Sequence, residues 1–190
     1  MDKKYHIILA SNSPRRKELL SGLDLEYEIR TMPDIDESYP AELQGGDIPL
    51  YISKEKADAY KSMLQTNDLI ITADTIVWLD GEVLGKPHNR EDAIAMLHKL
   101  SGHTHEVFTG VTLTTTQKQR SFYAETKVTF AQLTDEEIAH YVDKFQPFDK
   151  AGSYGVQEWI GYIGVERIEG SYFNVMGLPV QRLYKELKIF

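Results

Sequence analysis

The stretch Tyr5-His6-Ile7-Ile8-Leu9-Ala10-Ser11-Asn12-Ser13-Pro14-Arg15-Arg16-Lys17-Glu18-Leu19-Leu20 decides how this chain is read. Tyr5 to Ala10 has the continuous apolar character of a buried strand. Ser13-Pro14 then marks a helix start, because a serine side chain accepts from an orphan N–H of the first turn and proline's fixed φ suits the first helical position. Arg15, Arg16 and Lys17 therefore fall in the first turn, where free N–H groups and the macrodipole already present positive charge. Unaided, that placement is unfavourable, and an anion would resolve it. Strand, small polar loop and helix N-terminus together make a phosphate-holding geometry. The competing reading is a surface helix whose arginines are solvated. The loop is not a Walker loop, since it lacks a long glycine-rich run ending in Gly-Lys-Ser/Thr.

Working outward, the helix ends at Ser21-Gly22 and Leu25 to Arg30 alternates as a second strand. Asp34-Ile35-Asp36-Glu37 lies between Pro33 and Pro40, an acidic loop that can expose several carboxylates. A long helix follows with Leu50, Ala57, Tyr60 and Leu64 on one face, which places Lys56 beside the buried stripe. Leu69 to Ala73 reads as a central strand ending in Asp74-Thr75. A hairpin is expected next, with Ile76–Leu79 and Glu82–Leu84 flanking the turn signal Asp80-Gly81 and leading to Gly85-Lys86-Pro87. Asn89 caps a helix that stops at Gly102. Two long strands, from Val107 to Leu113 and from Phe122 to Phe130, are joined near Gln117-Lys118, and Thr134 to Glu137 is a capping box. Residues 149–157 form an ordered small-residue loop, a short strand pair is expected around Ile163 to Ile168, and Pro179 starts a last helix carrying Val180, Leu183, Tyr184 and Leu187. No repeat or flexible linker interrupts this order, so a single α/β domain over residues 1–190 is expected, with the helices and the long strand pair forming two lobes around a cleft.

Composition narrows the function. The chain has 190 residues, 42% hydrophobic and 26% charged, enough for one substantial core. A net charge of −8 disfavours polynucleotide binding, which needs extended basic surface, whereas a small polyphosphate needs only a local basic cluster. The absence of cysteine removes disulfides, thiolate zinc sites and cysteine nucleophiles. No segment reads as a signal peptide or membrane span, so a cytoplasmic protein without a membrane partner is expected.

Asp74 is the strongest catalytic candidate: a carboxylate at the end of an apolar strand is partly desolvated yet open on one side, as suits a general base or a metal ligand. Read alone, an aspartate there is more often a turn residue. Glu37, with Asp36 and Asp34, offers a second carboxylate group, and two separated carboxylates can hold Mg²⁺ shared with substrate phosphates. Alone, that loop reads as solvated surface. Lys56 and Lys86 could neutralise phosphate charge, although lysines in such positions usually face solvent. Gln157 carries an amide able to donate and accept, the type that reads a nucleobase edge. His103 and His105 could share a strand face, but no third ligand stands nearby for zinc.

Six segments resemble the Maf-like nucleoside triphosphate pyrophosphatases: Ser11 to Leu20, Glu55-Lys56-Ala57, Ala73-Asp74-Thr75-Ile76-Val77, Leu84-Gly85-Lys86-Pro87, Leu100-Ser101-Gly102-His103-Thr104-His105 and Gly170 to Pro179. They keep the family's order over nearly the whole chain. The resemblance implies a fold like that of the inosine triphosphate pyrophosphatases, an elongated mixed sheet with packed helices and a cleft between lobes. It also implies hydrolysis between the α- and β-phosphates with a divalent metal, Mg²⁺ or Mn²⁺. By motif, Asp74 corresponds to the catalytic proton acceptor, and Ser11, Arg15, Arg16, Glu37, Lys56 and Lys86 to substrate-site positions. Glu37 and Asp74 are the implied metal carboxylates, and the acidic loop could align with Asp36 instead of Glu37. Arg15, Thr75 and Gln157 match substrate-selection positions. The loop Asp149 to Gln157 looks like that of the dTTP/UTP-cleaving branch, whose pattern continues with glycine where this chain has Glu158-Trp159. The alternatives are a pyrophosphatase for 7-methylguanosine triphosphate or another modified nucleotide, and a nucleotide-binding regulator without turnover. The resemblance suggests a homodimer.

Overall fold

The computed structural model describes residues 5–190. In chain order the elements are β1 (His6–Leu9), α1 (Pro14–Ser21), β2 (Tyr27–Ile29), α2 (Asp47–Tyr60), β3 (Asp68–Leu79), β4 (Glu82–Leu84), α3 (Arg90–Leu100) and β5 (Thr104–Thr114). They continue with β6 (Gln119–Phe130), α4 (Asp135–Phe145), α5 (Trp159–Gly164), β7 (Val165–Glu169), α6 (Tyr172–Met176) and α7 (Val180–Ile189). Hydrogen bonding orders the strands β2-β1-β3-β5-β6-β7, with β4 on β3 outside that path. β1 runs parallel to β2 and β3, while β4 meets β3 and β7 meets β6 antiparallel, so the sheet is mixed as expected. The chain divides into two units interleaved in sequence. The first takes the described residues up to Asp74, then Thr109–Ala124 and Gly177–Phe190; the second takes Thr75–Phe108 and Glu125–Met176.

In the first unit, β1 buries Ile8 and Leu9 completely and pairs Leu9 with Ile71 of β3. α1 begins as its sequence dictates: the Arg16 N–H donates to Ser13 Oγ at 3.4 Å, and Pro14 opens the helix. α2 departs from the expected stripe. It ends at Tyr60, passes into a 3₁₀ turn over Lys61–Met63, and buries Ile48, Pro49, Ile52, Ser53, Ala57 and Tyr60, leaving Leu50 and Leu64 half-buried. The cause is a close approach: a Cβ on Gly110 of β5 would stand 2.3 Å from the carbonyl carbon of Pro49. The helix therefore turns its Pro49, Ser53, Ala57 and Tyr60 edge to the sheet, since residues four apart share a face. At α7, Tyr184 is exposed and Glu186 is buried instead. Burial pushes the Glu186 carboxyl up, but hydrogen bonds from Arg182, at 2.7 Å, and from Arg120 outweigh this and hold it below the usual range.

In the second unit, Asp80 and Gly81 turn the β3–β4 hairpin with φ of 51° and 85°, the mirror-image turn that their types favour. The Asn89 cap and the Thr134–Glu137 capping box both form. α3 packs against α4, and Leu97, Leu100, Val107, Val128, Phe130, Ile138 and Tyr141 form the centre of the core. The expected strand pair around Ile163 to Ile168 is absent from this region. Trp159–Gly164 is helix α5, helped by the Gly161 N–H bond to Glu158 O at 2.9 Å, and only Val165–Glu169 is extended, pairing with β6.

Two consequences can be measured. Gly110→Ala should cost about 1–3 kcal/mol of stability, because the new methyl meets helix backbone and not a flexible side chain; an unchanged urea midpoint would contradict the packing. The buried Asp68 carboxylate is pushed up by desolvation, but the Gln65 N–H at 3.0 Å, His6 Nδ1 at 2.9 Å and Arg30 together hold it low. A depressed folded pKa gives stability that is present above the unfolded value and lost as pH falls through the folded one. Asp68→Asn should therefore flatten the loss of stability below about pH 4. Acid melts with equal slopes for both proteins would refute this.

Candidate active site

β3 does not end at Asp74 as the sequence suggested; it continues to Leu79, and Asp74-Thr75 is a half-buried window within a run that is otherwise buried from Asp68 to Val77. Along the strand the acid lies between the pairing of β3 with β1, which reaches Ile71, and its pairing with β4, which starts at Val77. Two residues earlier, on the same strand face, the Thr72 hydroxyl donates to the Ser53 carbonyl of α2 at 2.6 Å. The Ser53 hydroxyl donates to Leu50 O at 2.9 Å and lies 2.9 Å from the hydroxyl of Thr112 on β5. Lys56 is one helical turn beyond Ser53, and Asp74 one strand repeat beyond Thr72. The lock between Ser53 and Thr72 therefore aligns Lys56 with Asp74.

The Lys56 ammonium lies 2.9 Å from Asp74 Oδ1 and 2.8 Å from Glu37 Oε1. The Lys56 and Asp74 side chains are only 13% and 14% exposed, so this is not a screened surface pair, whereas Glu37 is 55% exposed and reaches in from its loop. The same geometry separates the two acids that the sequence left open. Asp36 turns both oxygens to Ser38, accepting from its N–H at 2.9 Å and its hydroxyl at 2.8 Å, and Glu37 meets Lys56.

Arg15, Arg16 and Ser11 belong to this unit too. Ser11 is buried and its Oγ accepts from Ser13 N at 3.2 Å, shaping the loop before α1. Arg16 is half-buried and its Nε donates to Gly177 O at 2.8 Å. Desolvation lowers the Arg16 pKa from the ordinary arginine value; Asp74 opposes this, Arg15 adds to it, and Glu37 opposes it. The cations at the start of α1 thus lie in the field of the protein's own carboxylates, and a bound anion is not the sole counterweight that the sequence suggested.

Thr75, Lys86 and Gln157 lie in the second unit. Thr75 is half-buried directly after Asp74, and Lys86 is exposed in the turn after β4. Gln157 is half-buried, with a buried Oε1 that has no hydrogen-bond partner among the described residues. The Gly152 N–H bonds to Gly85 O at 3.0 Å, which ties the loop of Gln157 to the turn of Lys86. Gly152 has φ +67°, and a Cβ there would meet Val77 at 2.8 Å, so only glycine closes this contact comfortably. His105 is a core residue: its Nε2 lies 2.6 Å from the Tyr154 hydroxyl, and burial pulls its pKa down to about 4. Among the described residues no three His, Cys, Asp or Glu side chains gather as a metal cluster. Glu37 and Asp74 are two hard oxygen donors that share the Lys56 ammonium.

Sequence reading missed the hydroxyl cluster of Ser53, Thr72 and Thr112. A signal was present, since a serine and a threonine at buried positions of an apolar helix and strand require partners.

The fold and these residues define a class. A family model described as Maf-like protein matches residues 6–190, and the chain belongs to that family. A Bacteroides thetaiotaomicron protein named dTTP/UTP pyrophosphatase is 68% identical over 97% of this chain and 96% of its own length. Proteins of the same name from Phocaeicola vulgatus and Porphyromonas gingivalis are 67% and 57% identical over 98% and 99% of this chain, each over 96% of its own length. A HAM1 protein from Coxiella burnetii matches with TM-score 0.55 at 15% identity, covering 98% of this chain and 100% of that one, a likeness of fold. No helix among the described residues is long and apolar enough to cross a membrane.

The Gly177 contact makes Arg16 structural as well as cationic. Arg16→Ala should lower ligand-free stability by about 1.5 kcal/mol, the lower end for a hydrogen bond to a charged group; equal or higher stability in a thermal melt would show that relief of repulsion dominates.

Proposed function

We propose that this chain hydrolyses dTTP and UTP between the α- and β-phosphates, giving the nucleoside monophosphate and pyrophosphate. The observation that carries the reaction is the meeting of the Lys56 ammonium with Asp74 and Glu37, in whose field Arg16 also lies. Arg15, Arg16, Lys56 and Lys86 neutralise phosphate charge, and Ser11 with the N-terminus of α1 holds phosphate oxygens. Glu37 and Asp74 hold a divalent cation, Mg²⁺ or Mn²⁺, which when bound supplies charge neutralisation at the phosphate oxygens. Asp74 accepts the proton of the attacking water; the water oxygen bonds to the α-phosphorus, and the bond to the bridging oxygen breaks with pyrophosphate leaving.

The base assignment rests on Gln157, with the names of the relatives beside it. Its amide oxygen can accept from the N3–H of thymine or uracil while its NH₂ donates to a neighbouring carbonyl. The unpartnered buried Oε1 supports that use, because an unsatisfied buried acceptor costs stability unless a ligand pairs with it. Thr75 and Arg15 share in substrate selection. We place the protein in the cytoplasm and expect a homodimer, which sedimentation would read against the 21.7 kDa chain.

A panel of dTTP, UTP and 7-methylguanosine triphosphate with Mg²⁺ tests this reading. Monophosphate and pyrophosphate from dTTP and UTP are expected. Orthophosphate with diphosphate would sink the cleavage position, and faster turnover of the methylated guanine would sink the base. Asp74→Asn should lose at least about 10²-fold in kcat, the lower range for a general base, and still bind nucleotide. Near-normal kcat would remove Asp74 from proton transfer, and a wild type that binds without turnover would be a regulator.

A further inference from the structure

Glu158 follows Gln157 directly, and the structure gives its carboxylate two partners inside the second unit. The hydroxyl of Tyr141, a fully buried residue of α4, donates to Glu158 Oε2 and accepts from the Gly155 N–H at 3.0 Å. Glu158 Oε1 lies 3.1 Å from the ammonium of Lys150, itself 9% exposed, which also meets Asp149 at 2.9 Å. The Glu158 N–H closes the turn on Gly155 O at 2.9 Å. Gln157 thus lies between two tethered residues. A Cβ on Gly155 would stand 3.0 Å from Gln157 Nε2, Glu158 Cδ and Lys150 Cε alike, so the Gln157 amide packs against the same point as the ion pair.

We infer that Glu158, held between Tyr141 and Lys150, is a positioning residue that orients the Gln157 amide and thereby sets base preference. This rests on Gln157 reading the base as proposed above. The charge is essential to the arrangement. A carboxylate accepts from both partners, whereas a glutamine has one acceptor oxygen and would turn its NH₂ toward either the Lys150 ammonium or the Tyr141 hydroxyl. Desolvation first, and then the bond to Glu158, raises the Tyr141 pKa, which keeps its proton available for Glu158. A misdirected amide weakens pairing with thymine or uracil without touching phosphate contacts, so the loss falls on binding and base choice, not on the chemical step.

The test measures kcat and KM for dTTP, UTP and ATP in wild type, Glu158→Gln and Tyr141→Phe, with a thermal melt of each. For Glu158→Gln, KM for dTTP and UTP should rise about tenfold with kcat within about twofold, and the dTTP-over-ATP ratio of kcat/KM should fall about tenfold. Tyr141→Phe, which removes one oxygen and keeps the ring, should shift the same ratio about threefold in the same direction. If Glu158→Gln does not fold, Tyr141→Phe alone decides. An unchanged base ratio in a folded variant, or a loss confined to kcat, overturns the inference while leaving the proposed reaction intact. A wild type that releases no pyrophosphate from dTTP removes both.

Discussion

The hydrogen bond from the Thr72 hydroxyl to the Ser53 carbonyl is the constraint on which the site in the first unit depends. It joins a buried strand to a helix that lies close enough to the sheet to require glycine at position 110. Both groups are buried, so loosening the contact would leave a donor and an acceptor without water. That cost holds the helix to the strand at this point. Lys56, one turn further along, then has a single place to go, between Asp74 and Glu37. A long flexible lysine would ordinarily lose much rotamer entropy in such a position; here the backbone has already placed its stem along the sheet.

Electrostatics in the first unit follow from that placement. Arg16 at the start of α1 lies in the field of Asp74 on β3 and Glu37 in the acidic loop, which oppose desolvation and the Arg15 charge without outweighing them. A polyanionic substrate would add to that favourable side. The Gly177 carbonyl adds a neutral acceptor that holds Arg16 in direction without cancelling its charge.

Much of this was legible in the sequence because it is local. The Ser13 cap, Pro14, the Asp80-Gly81 turn, the Asn89 cap and the Thr134–Glu137 box each depend on residues within four positions, and each formed as read. What failed depends on distant contacts. The α2 stripe was rotated by the approach of Gly110, far later in the chain, and no periodicity within the helix encodes that. Asp74-Thr75 looked like the end of a strand because polar residues usually mark ends; only pairing on both sides shows that it is a window in the middle. Glu186 was overlooked because a buried glutamate becomes sensible only once Arg120, on β6, is beside it. Of the proposed site residues, Lys56 meets both Glu37 and Asp74, Arg16 lies in the field of those two acids, and Asp36 is turned to Ser38. Lys86 and Gln157 are linked to each other through Gly85 and Gly152, a connection that lay outside any short motif.

The central claim is that water, oriented by this cluster, attacks the α-phosphorus. Hydrolysis of dTTP in water enriched in heavy oxygen, followed by mass spectrometry of both products, tests it directly. The account predicts one heavy oxygen in the nucleoside monophosphate and none in pyrophosphate. Label in pyrophosphate would place the attack on the β-phosphorus and contradict the roles given to Asp74, Glu37 and Lys56.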